Sequence, residues 1–273
     1  ELFDPRAFDV APIASDKIAG AFVTEHHYSG TMPAARWRVG LYERAEMVGV
    51  AVFSVPMHAA VLRPWTMKDA VELGRLVLLD RVLANAESWF VARCFEHLRR
   101  EGVGGVVSFS DPEPRTTVEG ETVFAGHWGT TYQSLNATYV GRGTAQTLRL
   151  LPDATTFSAR AASKIRARDR GWEYAVAQLV SAGARAPTVA ERVGVEGLRA
   201  WLAEVLPATT RPMRHYGNLK YLWGLTPGAR RMLPDALPYP KLCHHACMSS
   251  PVSLPVSPIV SRAGAPVCCA VAA

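Results

Sequence analysis

A strand, a helix and a second strand in immediate succession constrain this chain more than anything else in it. From Val71 the text runs VELGRLVLLDRVLANAESWFVARCFEHLRREGVGGVVSFSDP. Val71, Leu73, Leu76 and Leu78 form an apolar run of strand length. Trp89, Phe90, Ala92, Cys94, Phe95 and Leu98 then recur at three- and four-residue spacing, with Asn85 or Ser88 placed to cap the helix and Gly102 to end it. Arg99 and Arg100 suit the negative end of its dipole. Val103, Val106, Val107 and Phe109 give a buried strand that stops at Asp111-Pro112. Such a unit predicts parallel neighbouring strands joined by a right-handed crossover. Ligands gather at the carboxyl ends of strands in sheets of this kind. Ser108, Ser110 and Asp111 fall there, as do Asn85, Glu87 and Ser88 at the helix start, where backbone N–H groups suit an anion such as a pyrophosphate. Read singly, the same residues are also ordinary strand-ending and helix-capping groups.

The 273 residues, 49% of them hydrophobic, suffice for one good-sized domain or a domain with a helical appendage. No run of about eighteen uncharged apolar residues exists, so no membrane span is predicted, and no signal peptide is legible. A net charge of +6 suits a polyanionic partner. Cys94 lies on the apolar helix face, while Cys243, Cys247, Cys268 and Cys269 crowd the end of the chain. That distribution argues against a disulfide-stapled secreted fold and for a cytoplasmic setting.

Residues 14–30 read as a helix capped by Ser15 or Asp16 and ending in HHYSG, so that His26, His27 and Tyr28 cluster at its C-terminus. Arg36–Tyr42 and Met47–Val55 make a hairpin, with Trp37, Val39 and Leu41 on one face. From Gly126 the text runs GHWGTTYQSLNATYVGRG, where Tyr132 and Tyr139 stand seven apart on an expected helix. Thr144–Leu151 alternates as a strand able to close the sheet, and Phe157–Ala182 is helical in character, with Arg160, Lys164, Arg166, Arg168 and Arg170 in its first half. Ala190–Leu206 offers a further helix and Arg211–Leu225 a late strand. From Pro238 onward no period survives, and Cys243, His244, His245 and Cys247 do not match a zinc spacing, so the end of the chain reads as a disordered or non-native tail. The expected boundaries are a catalytic domain at 1–154, a basic helical module at 155–210, a return to the core at 211–240 and a tail at 241–273.

The segments ELGRLVLLDRVLANAES, SFSDP and GHWGTTYQSLNATYVG, in that order, resemble the Mom-type DNA-modification proteins of bacteriophages, distant relatives of the GNAT acetyltransferases. The likeness covers roughly residues 25–141, with weaker similarity at His215–Leu225. It implies an α/β fold with a GNAT-like mixed β-sheet flanked by helices, here carrying a basic helical insertion. It implies an enzyme that adds a carbamoylmethyl (acetamido) group to N6 of adenine in double-stranded phage DNA, protecting it from host restriction. The implied donor is acetyl-CoA or a related acyl-CoA; a metal such as iron is left open, as is the oligomeric state. An N-acetyltransferase of a small-molecule or protein amine, and a non-catalytic DNA-binding protein, are the alternatives.

Carried over residue by residue, the family pattern falls on Arg75, Ser88, Asp111 and Tyr132, with His27 and Tyr28 matching an HYS patch at the active centre. Asp111 is then expected to orient or deprotonate the adenine amino group and Tyr132 to donate a proton; a bland alternative is an internal Asp111–Arg75 ion pair. Arg75, Ser88 and Asn85 are expected at the donor. Ser108, His127 and Asn136 are expected at a base edge or phosphate, and Lys164, Arg166, Arg168 and Arg170 on the DNA backbone. Adenine must leave the duplex stack to be reached, which calls for aromatic walls such as Trp128, Tyr132 and Tyr139; a core stripe explains the two tyrosines equally well. Two departures stand out. Residues 113–125 (EPRTTVEGETVFA) fill a gap where compact relatives have only a couple of residues, and read as a lid or substrate-selecting loop. The loop Asp80–Ala86 lacks the Gly-rich arm of ordinary acetyltransferases.

Overall fold

The computed structural model of the chain describes residues 3–27, 30–83 and 85–241. After a 3-10 turn come β1 (Phe8–Pro12), α1 (Asp16–His26), and the hairpin β2 (Ala35–Glu43) and β3 (Glu46–Ser54). The expected strand–helix–strand unit follows as β4 (Ala70–Leu78), α2 (Ala86–Arg100) and β5 (Gly105–Ser110). The insert holds a short ribbon, β6 (Arg115–Thr116) and β7 (Thr122–Phe124), before α3 (Thr130–Ser134) and β8 (Thr138–Arg142). Then come β9 (Gln146–Leu150), β10 (Thr156–Phe157), α4 (Ala159–Ala167), α5 (Trp172–Ser181), α6 (Val189–Val193) and α7 (Val195–Thr209). The chain returns through β11 (Arg211–His215), β12 (Leu219–Gly224) and α8 (Pro227–Arg231).

The main sheet has seven strands in the order β1-β2-β3-β4-β5-β12-β8. Among neighbouring strands only β4 and β5 run parallel, joined by the α2 crossover. This is the GNAT-like mixed sheet that the resemblance implied. Strand β3 shows why it is covered on both sides. Ala51 and Phe53 share a core with Phe90, Val91, Cys94 and Leu98 of α2, while Val50 and Val52 meet Phe22 and Val23 of α1. That is the period-two alternation of a strand buried on both faces. Each such valine, leucine or phenylalanine contributes about 1.5–3 kcal/mol on burial. Burial also pushes the Cys94 thiol up in pKa, so it packs as a small hydrophobe.

Several expected elements differ. Ser15 caps α1, its hydroxyl accepting the Ile18 N–H at 3.4 Å. Neither Asn85 nor Ser88 caps α2 through its side chain: Asn85 is left-handed at φ 75°, and the Ser88 hydroxyl donates to the Asn85 carbonyl at 3.1 Å. Tyr132 and Tyr139 do not share a helix, since α3 ends at Ser134, Asn136 turns the chain at φ 53°, and Tyr139 lies in β8. Both are nonetheless buried against Tyr221.

Strand β9 does not close the main sheet. It pairs with β10 and β11 in a separate three-stranded sheet. The expected late strand divides at Gly217 into β11 and β12. The helix expected over 157–182 divides too, at Arg168 (φ 49°) and Gly171 (φ 81°). Helices α4, α5 and α7 close around Ile165, Leu179, Leu198 and Trp201. The module therefore leaves the sheet after β8 and returns before β12, with β9 and β11 as its two legs, and the Gly143 N–H donating to the Asn218 carbonyl at 2.8 Å across its neck. The expected tail and its four cysteines lie outside the described residues, apart from Lys241. Among the described residues no helix is long and apolar enough to cross a membrane.

Gly105 opens β5 beneath Trp65, which is 4% exposed. A Cβ added there would come within 2.4 Å of the indole ring, and that ring is held by a hydrogen bond from its Nε1 to the Ala229 carbonyl at 3.2 Å. Gly105→Ala is expected to cost about 1–3 kcal/mol, read as a melting temperature several degrees lower in thermal unfolding.

Candidate active site

The site begins with one extra residue in β4. Val52 pairs with Arg75 and Phe53 with Leu73, so Gly74 is left over as a β-bulge. A side chain there would meet Ser54 Oγ at 2.5 Å. On its other side β4 pairs with β5 only from Ala70 to Leu73; beyond that point the two strands part. The buried Ser108 hydroxyl donates to the Leu73 carbonyl at 3.0 Å and marks the fork. The parting opens a cleft of about 320 Å³ lined by residues 73–78 of β4, His26, His27, Glu87, Phe109, Phe124, His127, Thr131 and Tyr132. It lies at the carboxyl ends of the parallel pair, as expected of such sheets.

The bulge aims Arg75 into this space. Its Nε donates to the Thr31 carbonyl and its Nη2 to the Thr31 hydroxyl, both at 2.9 Å, while Nη1 donates to the Gly74 carbonyl at 2.6 Å. His27 caps the end of α1 beside it. Burial, with the Arg75 charge next in weight, pushes the His27 pKa down to about 4. Tyr28, its expected companion, lies outside the described residues.

The opposite wall is the segment His127–Tyr132. Gly129 turns it at φ 74° with its Cα packed on Tyr221, where a Cβ would come within 2.6 Å of the ring. The Tyr221 hydroxyl donates to the Trp128 carbonyl at 2.7 Å. Tyr132, 5% exposed, stands edge-on to His127, Tyr221 and Trp223, with ring centroids at 5.1, 5.5 and 5.3 Å. Burial lowers the pKa of His127, opposed by the charges of Glu87 and Asp111. Both histidines are therefore mainly neutral at pH 7. Glu87, at the start of α2, accepts from the Thr131 hydroxyl at 2.5 Å and ties the two walls together.

Asp111 is placed otherwise than expected. It is outside the cleft lining, and its partner is not Arg75. One carboxylate oxygen pairs with Arg115; the other accepts the Glu113 N–H at 3.0 Å and faces His215 Nε2 at 2.8 Å. His215 Nδ1 accepts the Gly217 N–H at 3.0 Å, which puts the imidazole proton on Nε2, toward Asp111. Both partners are nearly buried, at 13% and 2% side-chain exposure. Asp111 reaches the cleft through its backbone, whose carbonyl accepts the His127 N–H at 2.6 Å. Arg115 and His215 escaped sequence reasoning, since neither carries a local signal.

Of the remaining expected residues, Ser108 is fully buried and bonded within the sheet, so it has no path to a substrate. Asn136 lies outside the cleft lining, in a groove with Arg99 and Arg230. Asn85 and Ser88 stand at the start of α2, the serine bonded to the asparagine carbonyl. Arg166, Arg168 and Arg170 are exposed on α4 and the turn after it, with Lys164 half-buried beside them. Among the described residues no cluster of three or more metal-ligating side chains occurs.

The His27 shift has a consequence for stability. Its folded pKa of about 4 lies below the ordinary 6.5, so on acidification the unfolded chain takes up the proton first. The stability held by the neutral imidazole is full above pH 6.5 and lost as the pH falls toward 4. His27→Gln is expected to melt with a shallower pH dependence than the wild type between pH 7 and 4.5, measured by thermal unfolding in a buffer series.

Among solved structures the chain is similar to a tandem GNAT protein from the clavulanic acid biosynthesis pathway, at 8% identity over 81% of this chain and 99% of that one, with a TM-score of 0.42. It is also similar to a GNAT family N-acetyltransferase from Escherichia coli in complex with CoA, at 14% identity over 41% and 68% of the two chains and a TM-score of 0.32. A third is an N-acetyltransferase from Staphylococcus aureus Mu50, at 15% identity, 41% of this chain and a TM-score of 0.27; the chain spans 56% of its length. No curated protein matches the chain. The strand–helix–strand unit, the GHWGTTYQSLNATYVG segment, the helical module and the late strand all fall within residues 7–241, which match the model of the Mom protein family, and the chain belongs to that family.

Proposed function

We propose that this protein is a transferase that adds a carbamoylmethyl (acetamido) group to N6 of adenine in double-stranded phage DNA, the modification shielding that DNA from host restriction. The observation that carries the reading is one cleft, opened by the Gly74 bulge, in which Arg75, two neutral imidazoles and a buried tyrosine converge. Family membership supports it.

The chemistry asks for those groups. The N6 lone pair is delocalised into the purine, so N6 attacks well only as its proton leaves. A neutral imidazole is the side chain suited to take that proton near pH 7. His127 is the better placed, because His27, held at a pKa of about 4, is a weak base. The Tyr132 ring, edge-on to His127, positions it, and the Tyr132 hydroxyl donates where charge develops. Arg75 supplies a fixed positive charge for an electron-rich oxygen of the transferred group. The Asp111–Arg115–His215 cluster holds the backbone that carries His127.

Whether an acyl-CoA donor suits the residues is decided by two features. Beyond Leu73, β4 leaves its β5-facing edge unpaired by that strand, an edge that an extended acyl arm can follow. The β4–α2 loop, residues 79–85, has no glycine, and its cation Arg81 is tied to Glu43 and Glu46 at 3.4 and 2.6 Å. Glu87 adds a negative charge where the helix begins. The arm fits; a diphosphate does not.

DNA approach is assigned to the module, whose exposed Arg166, Arg168 and Arg170 form its basic edge. If Arg166 and Arg170 each neutralise a phosphate, Arg166→Glu with Arg170→Glu lowers DNA affinity and reduces the magnitude of the log Kd against log salt slope by about 2. Fluorescence anisotropy across a salt series checks this, and an unchanged slope removes α4 from the interface.

The test of the function is nucleoside mass spectrometry on DNA from cells expressing the protein. A heavier deoxyadenosine is expected with the wild type, reduced about a hundredfold in His127→Gln and in Tyr132→Phe. Unmodified adenine alongside soluble wild-type protein would overturn the reading. Asp111→Ala is a poor control, because it strips the counter-charge from a nearly buried Arg115 and is expected to cost about 3–5 kcal/mol of stability.

A further inference from the structure

A second and larger cavity, of about 910 Å³, adjoins the cleft. One wall is the β6–β7 ribbon of the insert, through Arg115 and Phe124; the other is α5 of the helical module, through Tyr174 and Gln178. Both walls thus come from segments added to the sheet rather than from the sheet itself. The two cavities meet at two places. Phe124 lines both, and Thr31 lines the larger one while holding Arg75 of the smaller by two hydrogen bonds.

We propose that this larger cavity receives the adenine extruded from DNA, with Phe124 and Tyr174 as its aromatic walls and the Gln178 amide reading the edge of the base. The inference rests on the adenine-modification reading and goes beyond it by naming where the base sits and what recognises it. Three observations carry it. First, the cleft along β4 has about a third of the larger cavity's volume. The larger one is of the size that holds a nucleoside, leaving the cleft to the group being transferred. Second, the lining offers what a flipped base needs: an aromatic side chain on each of two walls, and a primary amide whose NH₂ can donate to a ring nitrogen of adenine while N6 faces the cleft. Third, a cation stands beside one aromatic wall. Lys164 Nζ stands 5.0 Å from the centre of the Tyr174 ring, and exposed Arg166, Arg168 and Arg170 continue from it along the chain. A nucleotide entering base-first leaves its phosphates among these cations.

The test uses the full-length protein and fluorescence anisotropy with two single-stranded probes, a thymine oligonucleotide carrying one central adenine and its all-thymine counterpart. The adenine probe is expected to bind about tenfold tighter. Gln178→Leu and Phe124→Leu should each bring that ratio below about twofold at unchanged melting temperature, and Phe124→Tyr should retain it. Gln178 is half-buried on the face of α5, so its variant keeps the test open if loss of the Phe124 contact with Arg115 unfolds the ribbon. Arg166→Glu with Arg170→Glu should weaken both probes together and leave the ratio alone. A wild-type preference that survives in Gln178→Leu and Phe124→Leu refutes this cavity while the adenine reading stands. No wild-type preference for the adenine probe refutes both.

Discussion

Strand β4 keeps its hydrogen bonds to β3 from Glu72 to Leu78 but keeps β5 only as far as Leu73. The single extra residue at Gly74 sits at that fork, and the rest of the site depends on it. A bulge bends the strand and increases its twist, so the strand can stay with one neighbour and leave the other. The separation frees a backbone edge in the interior of the sheet, where an unpaired edge must find a ligand, water or side chain. Arg75, the next residue, inherits the change of direction and faces the gap. The α2 crossover brings Glu87 to its mouth.

The walls of the gap are made by chain that arrives much later. Strand β12 slots between β5 and β8, and two of its aromatics hold the site segment by their polar tips. The Tyr221 hydroxyl binds the Trp128 carbonyl, and Trp223 Nε1 binds the Leu135 carbonyl at 3.2 Å. The Asp111 cluster does the same at the base of the insert, joining the end of β5, the ribbon through Arg115 and the module leg β11 through His215. A buried ion pair of this kind adds little net stability against an apolar replacement, yet losing one partner costs several kcal/mol. In this fold it sets position: insert, module and cleft share one anchor.

Much of this was legible in the chain. The three- and four-residue spacing from Trp89 to Leu98 gave α2, and the apolar runs on either side gave a parallel pair, because each pattern records a local exposure that the fold respects. Resemblance picked out Arg75, His27 and Tyr132, and all three line the cleft. Asp111 was singled out as well, and its carboxylate lies outside the cleft lining, among Arg115, His215 and the Glu113 N–H. Its link to His215 spans 104 residues, a separation no local pattern reports. Arg115, four residues on, looked like part of a polar loop. The seven-residue spacing of Tyr132 and Tyr139 imitated a helix, when a short helix and a strand bring both rings to Tyr221 from different directions. The lone glycine inside the strand, in ELGRL, was the available sign of the bulge.

By itself, then, the sequence determined α1, the β2–β3 hairpin and the β4–α2–β5 unit, the face that α2 buries, and that two neighbouring strands run parallel. Periodicity and capping act within a few residues, so that information is local. The tertiary structure alone decided where β4 and β5 separate, that Ser108 turns inward to a carbonyl, that the long basic helix breaks at Arg168, and which groups neutralise Asp111. Those outcomes depend on register and burial among residues far apart in the chain. A one-residue change of register carries every side chain beyond it to the other face.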